Sequence, residues 1–169
     1  MNRFLVLCAL LVLSNLSFGQ HKSTITDGYK EMLTYPYSDP NPNPLLSRSS
    51  FKIYPYHSFD GFTSVPRLQK WKIVTLENDY IRVFIFPELG GKVWGAIDKS
   101  TGKEFIYSND VVKFRNIAMR GPWTSGGIEF NLGLIGHTPA TAGPVDYVTR
   151  ENADGSVSCI VGNMDLPSR

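Results

Sequence analysis

Chemically capable side chains are densest in one stretch, Gly121-Pro-Trp-Thr-Ser-Gly-Gly-Ile-Glu-Phe-Asn-Leu-Gly-Leu-Ile-Gly-His-Thr-Pro139. Its nineteen residues hold five glycines together with Trp123, Glu129, Asn131 and His137. Glycine lets a backbone approach a ligand closely and adopt positive φ. Trp123 offers a flat apolar face, and Glu129, Asn131 and His137 offer directional hydrogen bonds. A flat ring with convergent polar groups suits a sugar, whose C–H faces are apolar and whose edges carry hydroxyls. The competing reading is structural: the glycines serve turns, Trp123 belongs to a core, and Glu129 pairs with a nearby Arg or Lys.

Other chemistries fit less well. Ser125 and His137 do not make a hydrolase motif, because Trp123-Thr-Ser-Gly-Gly127 has Trp where a nucleophile elbow has Gly. His21, His57 and His137 are scattered without metal-ligand spacing, so no metal site is expected. Pro87-Glu-Leu-Gly-Gly-Lys-Val-Trp94 lacks both the Gly-Lys-Ser/Thr ending and the following helix of a phosphate loop. Gly90 and Gly91 are expected to turn a corner between strands, and Trp94 to face a core. Nothing in the chain points to a cofactor.

These residues need a scaffold, and the pattern after Trp71 is that of strands. Trp71–Glu77 and Tyr80–Phe86 flank the turn pair Asn78-Asp79 and predict a hairpin. Lys92–Asp98 and Glu104–Tyr107 follow as strands around the turn 99–102, and Val111–Met119 as a further strand or irregular edge. Tyr147–Arg150 and Ser156–Val161 flank Asp154-Gly155, a second hairpin signal. No useful helical periodicity, heptad or internal repeat follows residue 70. The body is expected to be all-β, an antiparallel β-sandwich over residues 67–169.

Residues 20–66 read as an extended lead-in. Four prolines fall between Pro36 and Pro44 and exclude regular structure there. Tyr35, Tyr37, Phe51, Tyr54, Tyr56 and Phe59 suit a strap that buries rings on a folded body. Asp27–Leu33 is the one place in this lead-in where one or two helical turns are expected.

Residues 1–19 read as a secretory signal: Arg3 gives a basic start, Phe4–Leu13 is apolar, and Ser17 and Gly19 are small residues before Gln20. The apolar run is about half of the roughly 20 residues that span a bilayer, so a stable membrane anchor is the weaker reading. A lipoprotein at Cys8 is weaker still. Cleavage would leave Cys159 as the lone thiol and exclude an internal disulfide. The expected destination is secreted or periplasmic.

Composition bounds the rest. The chain has 169 residues, 42% hydrophobic and 19% charged, which suits one globular domain and excludes wholesale disorder. Seventeen basic against fifteen acidic residues leave a net charge of +2, too little to suggest a nucleic-acid partner.

The chain also resembles a secreted bacterial family labelled a domain of unknown function and often followed by tetratricopeptide repeats. The resemblance runs through Tyr54-Pro-Tyr56, Leu76-Glu-Asn78, Pro87-Glu-Leu-Gly-Gly91, Gly121–Asn131, Gly136-His-Thr-Pro139, Pro144-Val-Asp-Tyr147 and Asp154-Gly155. That family in turn looks like the galactose-mutarotase superfamily, which implies that the sandwich is the first part of a β-supersandwich. The superfamily implies carbohydrate handling, and full-length relatives imply possible tetratricopeptide repeats as neighbours. Under that resemblance Glu129 and His137 are candidate acid, base or hydroxyl partners. Asn131 and the fainter candidate Asp146 would orient a saccharide, and Trp123 would stack on it. A supersandwich needs roughly 250 residues or more, so the chain is expected to be a fragment lacking part of an active site. The alternatives are a noncatalytic glycan-binding or interaction module and a structural β domain.

Overall fold

The computed structural model describes residues 23–36, 63–116, 122–131 and 141–164. They form nine strands: β1 (Thr24–Tyr35), β2 (Arg67–Glu77), β3 (Ile81–Phe86), β4 (Lys92–Asp98), β5 (Lys103–Ile106), β6 (Val111–Asn116), β7 (Pro122–Thr124), β8 (Asp146–Glu151) and β9 (Val157–Gly162). No α-helix occurs among the described residues. The chain is all-β and sandwich-like, with a seven-stranded sheet in the order β5-β4-β3-β2-β1-β6-β7 and a two-stranded sheet of β8 and β9.

The largest departure from the sequence reading is β1. The segment Asp27–Leu33, expected to turn helically, is extended and lies inside the seven-stranded sheet, between β2 and β6. It pairs antiparallel with β2 from Thr24↔Glu77 to Thr34↔Arg67. On its other edge, Leu33–Tyr35 pair in parallel with Val111–Lys113 of β6. Lys30-Glu31-Met32-Leu33 is a run of good helix formers, but hydrogen bonding on two edges and burial of Met32 and Thr34 outweigh a local preference of a few tenths of a kcal/mol per residue. The sheet is therefore not purely antiparallel, and the lead-in contributes a central strand. The Pro-rich run expected as a strap lies outside the described residues.

Where β-branched and aromatic residues alternate, the expected strands form. Asn78 closes the β2–β3 hairpin: its Oδ1 accepts from the N–H groups of Tyr80 and Ile81, each at 2.9 Å. Glu77 binds Arg82 at 2.6 Å and Lys99 at 2.7 Å across the same end of the sheet. After β3, Pro87–Leu89 forms one 3-10 turn, and Gly90 and Gly91 follow with φ of 73° and 64°. A side chain at Gly91 would also strike Val161, since an added Cβ would lie 2.9 Å from it. Glycine at this corner thus serves both the turn and the close approach of β9.

The core is formed by Met32, Trp71, Phe86, Leu89, Trp94 and Val112, with Ile73, Phe84 and Phe114 packed against it. Trp94 is 3% exposed, as expected from its residue type. The indole N–H of Trp71 donates to Thr34 Oγ1 at 2.9 Å, which in turn donates to the Met32 carbonyl at 3.1 Å, so both polar groups are satisfied in the apolar interior.

The β8–β9 hairpin turns at Asp154-Gly155, where Gly155 has φ of 82° and Asp154 Oδ1 accepts from Ser156 N at 3.0 Å. It is fastened to the larger sheet at several points. Gly90 N–H donates to Gly143 O at 2.7 Å and Val145 N–H to Pro87 O at 2.9 Å. Tyr147 donates its hydroxyl proton to Asp27 Oδ2 at 2.7 Å, and Asp27 also pairs with Lys72. Burial raises the Asp27 pKa, but hydrogen bonds from Lys72 and Tyr147 outweigh it and leave the carboxyl below its ordinary value.

Candidate functional site

The chemistry-bearing stretch begins on β7 and continues into a loop that returns to the opposite side of the sheet. β7 stands at one end of the strand order and β4 next to the other end. Yet Val93 of β4 and Ile128 of the loop exchange two backbone hydrogen bonds, at 3.2 and 2.8 Å. Gly127 N–H donates to Tyr107 O at 2.7 Å. The sheet is therefore curled until its two ends are laced together by the loop that follows β7.

Glycine makes that closure possible. Gly126 and Gly127 have φ of 80° and 68°. A Cβ at Gly127 would overlap the Val93 carbonyl oxygen. Asn109 fixes the start of the loop, its Nδ2 donating to Ser125 O at 3.0 Å and to Ser125 Oγ at 2.5 Å. Its own carbonyl accepts from Trp94 Nε1 at 3.1 Å, and its Oδ1 from the Tyr107 hydroxyl at 2.7 Å.

At the centre of the closure is Lys92, 1% exposed at the start of β4. Its Nζ donates to the Thr124 carbonyl at 2.5 Å and to Thr124 Oγ1 at 3.1 Å. The same ammonium lies 6.0 Å from the ring centroids of both Trp94 and Trp123. Glu129, whose two carboxylate oxygens are buried, attracts it electrostatically. Burial lowers the Lys92 pKa, and the charge of Glu129 offsets part of that effect.

The candidates from the sequence are distributed unevenly. Trp123 and Glu129 meet around Lys92, half-buried at the closure. Asn131 is exposed two residues beyond Glu129. Asp146 is instead at the exposed start of β8, in the other sheet. His137 lies outside the described residues. Lys92 is not among the candidates from the sequence, although it opens the expected strand Lys92–Asp98. The one available signal was its alternation with Trp94 on a strand, which puts both side chains on the same face.

Among the described residues no group of three or more His, Cys, Asp or Glu side chains could hold a metal ion. No helix among them is long and apolar enough to cross a membrane. The site's chemistry consists of a buried cation beside two indoles and a carboxylate whose oxygens are buried. At its surface are Tyr107, Ile128 and Phe130, which are 69%, 46% and 44% exposed.

A family model described as "Domain of unknown function (DUF5107)" matches residues 49–169. Among solved structures, the chain is similar to a TPR-domain containing protein from Parabacteroides distasonis ATCC 8503. The identity is 29% and the TM-score 0.68, over 78% of this chain and 23% of that one. The chain thus spans about a quarter of the length of that protein, 23%.

Proposed function

The chain belongs to the family described as Domain of unknown function (DUF5107), and on that premise we propose that it is an exported saccharide-binding segment of a larger protein. In this reading the curled sheet is the first part of a galactose-mutarotase-like supersandwich. Tetratricopeptide repeats occupy another part of the full-length chain, as the TPR-domain containing neighbour suggests. Export rests on the basic, apolar and small-residue order of positions 1–19.

One observation carries the binding reading. A half-buried Trp123 and a half-buried Glu129, its carboxylate oxygens buried, are held on a glycine-hinged loop, beside exposed Tyr107 and Phe130 rings and the exposed Asn131. Rings give a pyranose apolar faces, and the amide gives its hydroxyls directional partners. Lys92 holds the start of this stretch through Thr124. His137 and Asp146 remain proposed hydroxyl or proton partners, the first from the same stretch and the second from the start of β8.

The test is titration of the purified protein with a panel of neutral and acidic mono- and oligosaccharides, followed by tryptophan fluorescence and calorimetry. Binding is expected with at least one sugar, and Trp123→Ala is expected to weaken it roughly tenfold, about 1.4 kcal/mol, with the fold retained. Absence of binding across the panel would overturn the reading. A Glu129→Gln variant then separates binding from catalysis: lost turnover with retained affinity assigns Glu129 a catalytic role. The hydrogen bonds from Lys92 to Thr124 favour a second, structural reading. Unfolding of both Trp123→Ala and Glu129→Gln would establish it. Intact mass of the exported product tests the signal, with Gln20 expected at the mature N-terminus.

A further inference from the structure

Among the described residues β8 has one strand neighbour, β9, and none of them pairs with its other edge. Five of its six residues are exposed, Tyr147 alone being half-buried. A two-stranded ribbon is marginal by itself, and an open edge is a template for another strand. The hydrogen-bond phase shows what the edge presents. Asn152 N–H donates to Ser156 O at 2.8 Å, which makes that pair a hydrogen-bonded one. Counting back in register, Arg150–Ser158, Val148–Ile160 and Asp146–Gly162 share that phase. The residues between them, Tyr147, Thr149 and Glu151, therefore turn their N–H and C=O groups outward.

The side chains along this edge are self-complementary. Asp146, Val148 and Arg150 share the face directed away from the larger sheet, opposite to the Tyr147 side chain that holds Asp27. An antiparallel copy of β8 related by a two-fold axis through Val148 would set Asp146 opposite Arg150 of the second copy, and Arg150 opposite its Asp146. In that register Tyr147 pairs with Thr149 of the second copy and Thr149 with its Tyr147. These are the residues whose backbone groups face outward, so phase and charge agree. Moving the axis to Arg150 or to Asp146 would oppose like charges, and moving it to Thr149 would set Val148 against Arg150.

We propose that β8 is a homodimerisation edge, joining two copies of this chain into a continuous β9-β8-β8-β9 sheet with a two-fold axis at Val148. The symmetry is isologous, so one surface supplies both halves. The exposed cross-strand pair Val148 and Ile160, 58% and 50% exposed, becomes the centre of an apolar strip across the joined sheet.

Size-exclusion chromatography with light scattering tests this over a roughly hundredfold range of concentration. Wild type is expected to move from monomer to dimer. Asp146→Arg and Arg150→Asp each place like charges opposite one another twice, and each is expected to raise the dissociation constant about tenfold. The double swap Asp146→Arg/Arg150→Asp restores complementarity and is expected to recover wild-type association. Thr149→Pro removes an outward N–H while leaving the β8–β9 ladder intact, and is expected to give monomer with an unchanged circular dichroism spectrum. If that variant misfolds, the charge swap decides. A wild type that stays monomeric, or a double swap that fails to recover association, would overturn the proposal.

Discussion

Replacing Lys92 with Met removes the ammonium and keeps most of the side-chain volume. The ammonium donates to Thr124 O at 2.5 Å and Oγ1 at 3.1 Å, and it feels the charge of Glu129, whose carboxylate oxygens are buried. Removing the compensating charge from a buried carboxylate costs up to about 3–5 kcal/mol, because the remaining charge keeps its desolvation penalty and loses its attraction. That is a large share of the roughly 5–15 kcal/mol that stabilises a domain. For a chain of this size it corresponds to a fall in melting temperature of roughly 6–20 °C. Urea denaturation of wild type, Lys92→Met, Glu129→Gln and the double variant forms a closed cycle. Removing both charges is expected to recover part of the loss, with a coupling energy of about 1–3 kcal/mol. A Lys92→Met cost below about 1 kcal/mol, or additive single effects, would refute the reasoning that this cation and carboxylate close the sheet.

Further outcomes follow from other contacts. Gly127→Ala forces a side chain onto the Val93 oxygen at a φ of 68° and is expected to cost more than about 2 kcal/mol in urea denaturation. Gly28→Ala, with open space around the added Cβ, is expected to change stability by less than about 1 kcal/mol. Hydrogen bonds from Arg82 and Lys99 lower the Glu77 pKa to about 2. Its contribution is therefore fully present above the unfolded value of 4.5 and is lost as pH falls from there towards about 2. Melting temperature should fall less steeply over that window in Glu77→Gln than in wild type. Burial, aided by the nearby charge of Asp27, raises the Cys159 pKa. A disulfide reagent at neutral pH is expected to modify the native thiol far more slowly than the urea-unfolded one.

Most strands were legible in the order of residues alone, because alternation and turn chemistry are local. Asn78 closes one hairpin with its own side chain, and Asp154-Gly155 closes another through a positive φ. Lys92–Asp98 has the expected bounds for the same reason. The family resemblance was likewise carried by contiguous residues. β1 was not legible: its helix-forming residues become a strand through partners more than thirty residues away, as in Lys30↔Trp71 and Leu33↔Val111. Trp123 and Glu129 could be named from their neighbourhood, but the cation that joins them stands on β4. Lys92 reaches Thr124 across 32 residues of sequence because the sheet curls and the glycine loop closes it. Local preference is a sum over neighbours in the chain, whereas the burial of a charge is decided by which distant elements surround it.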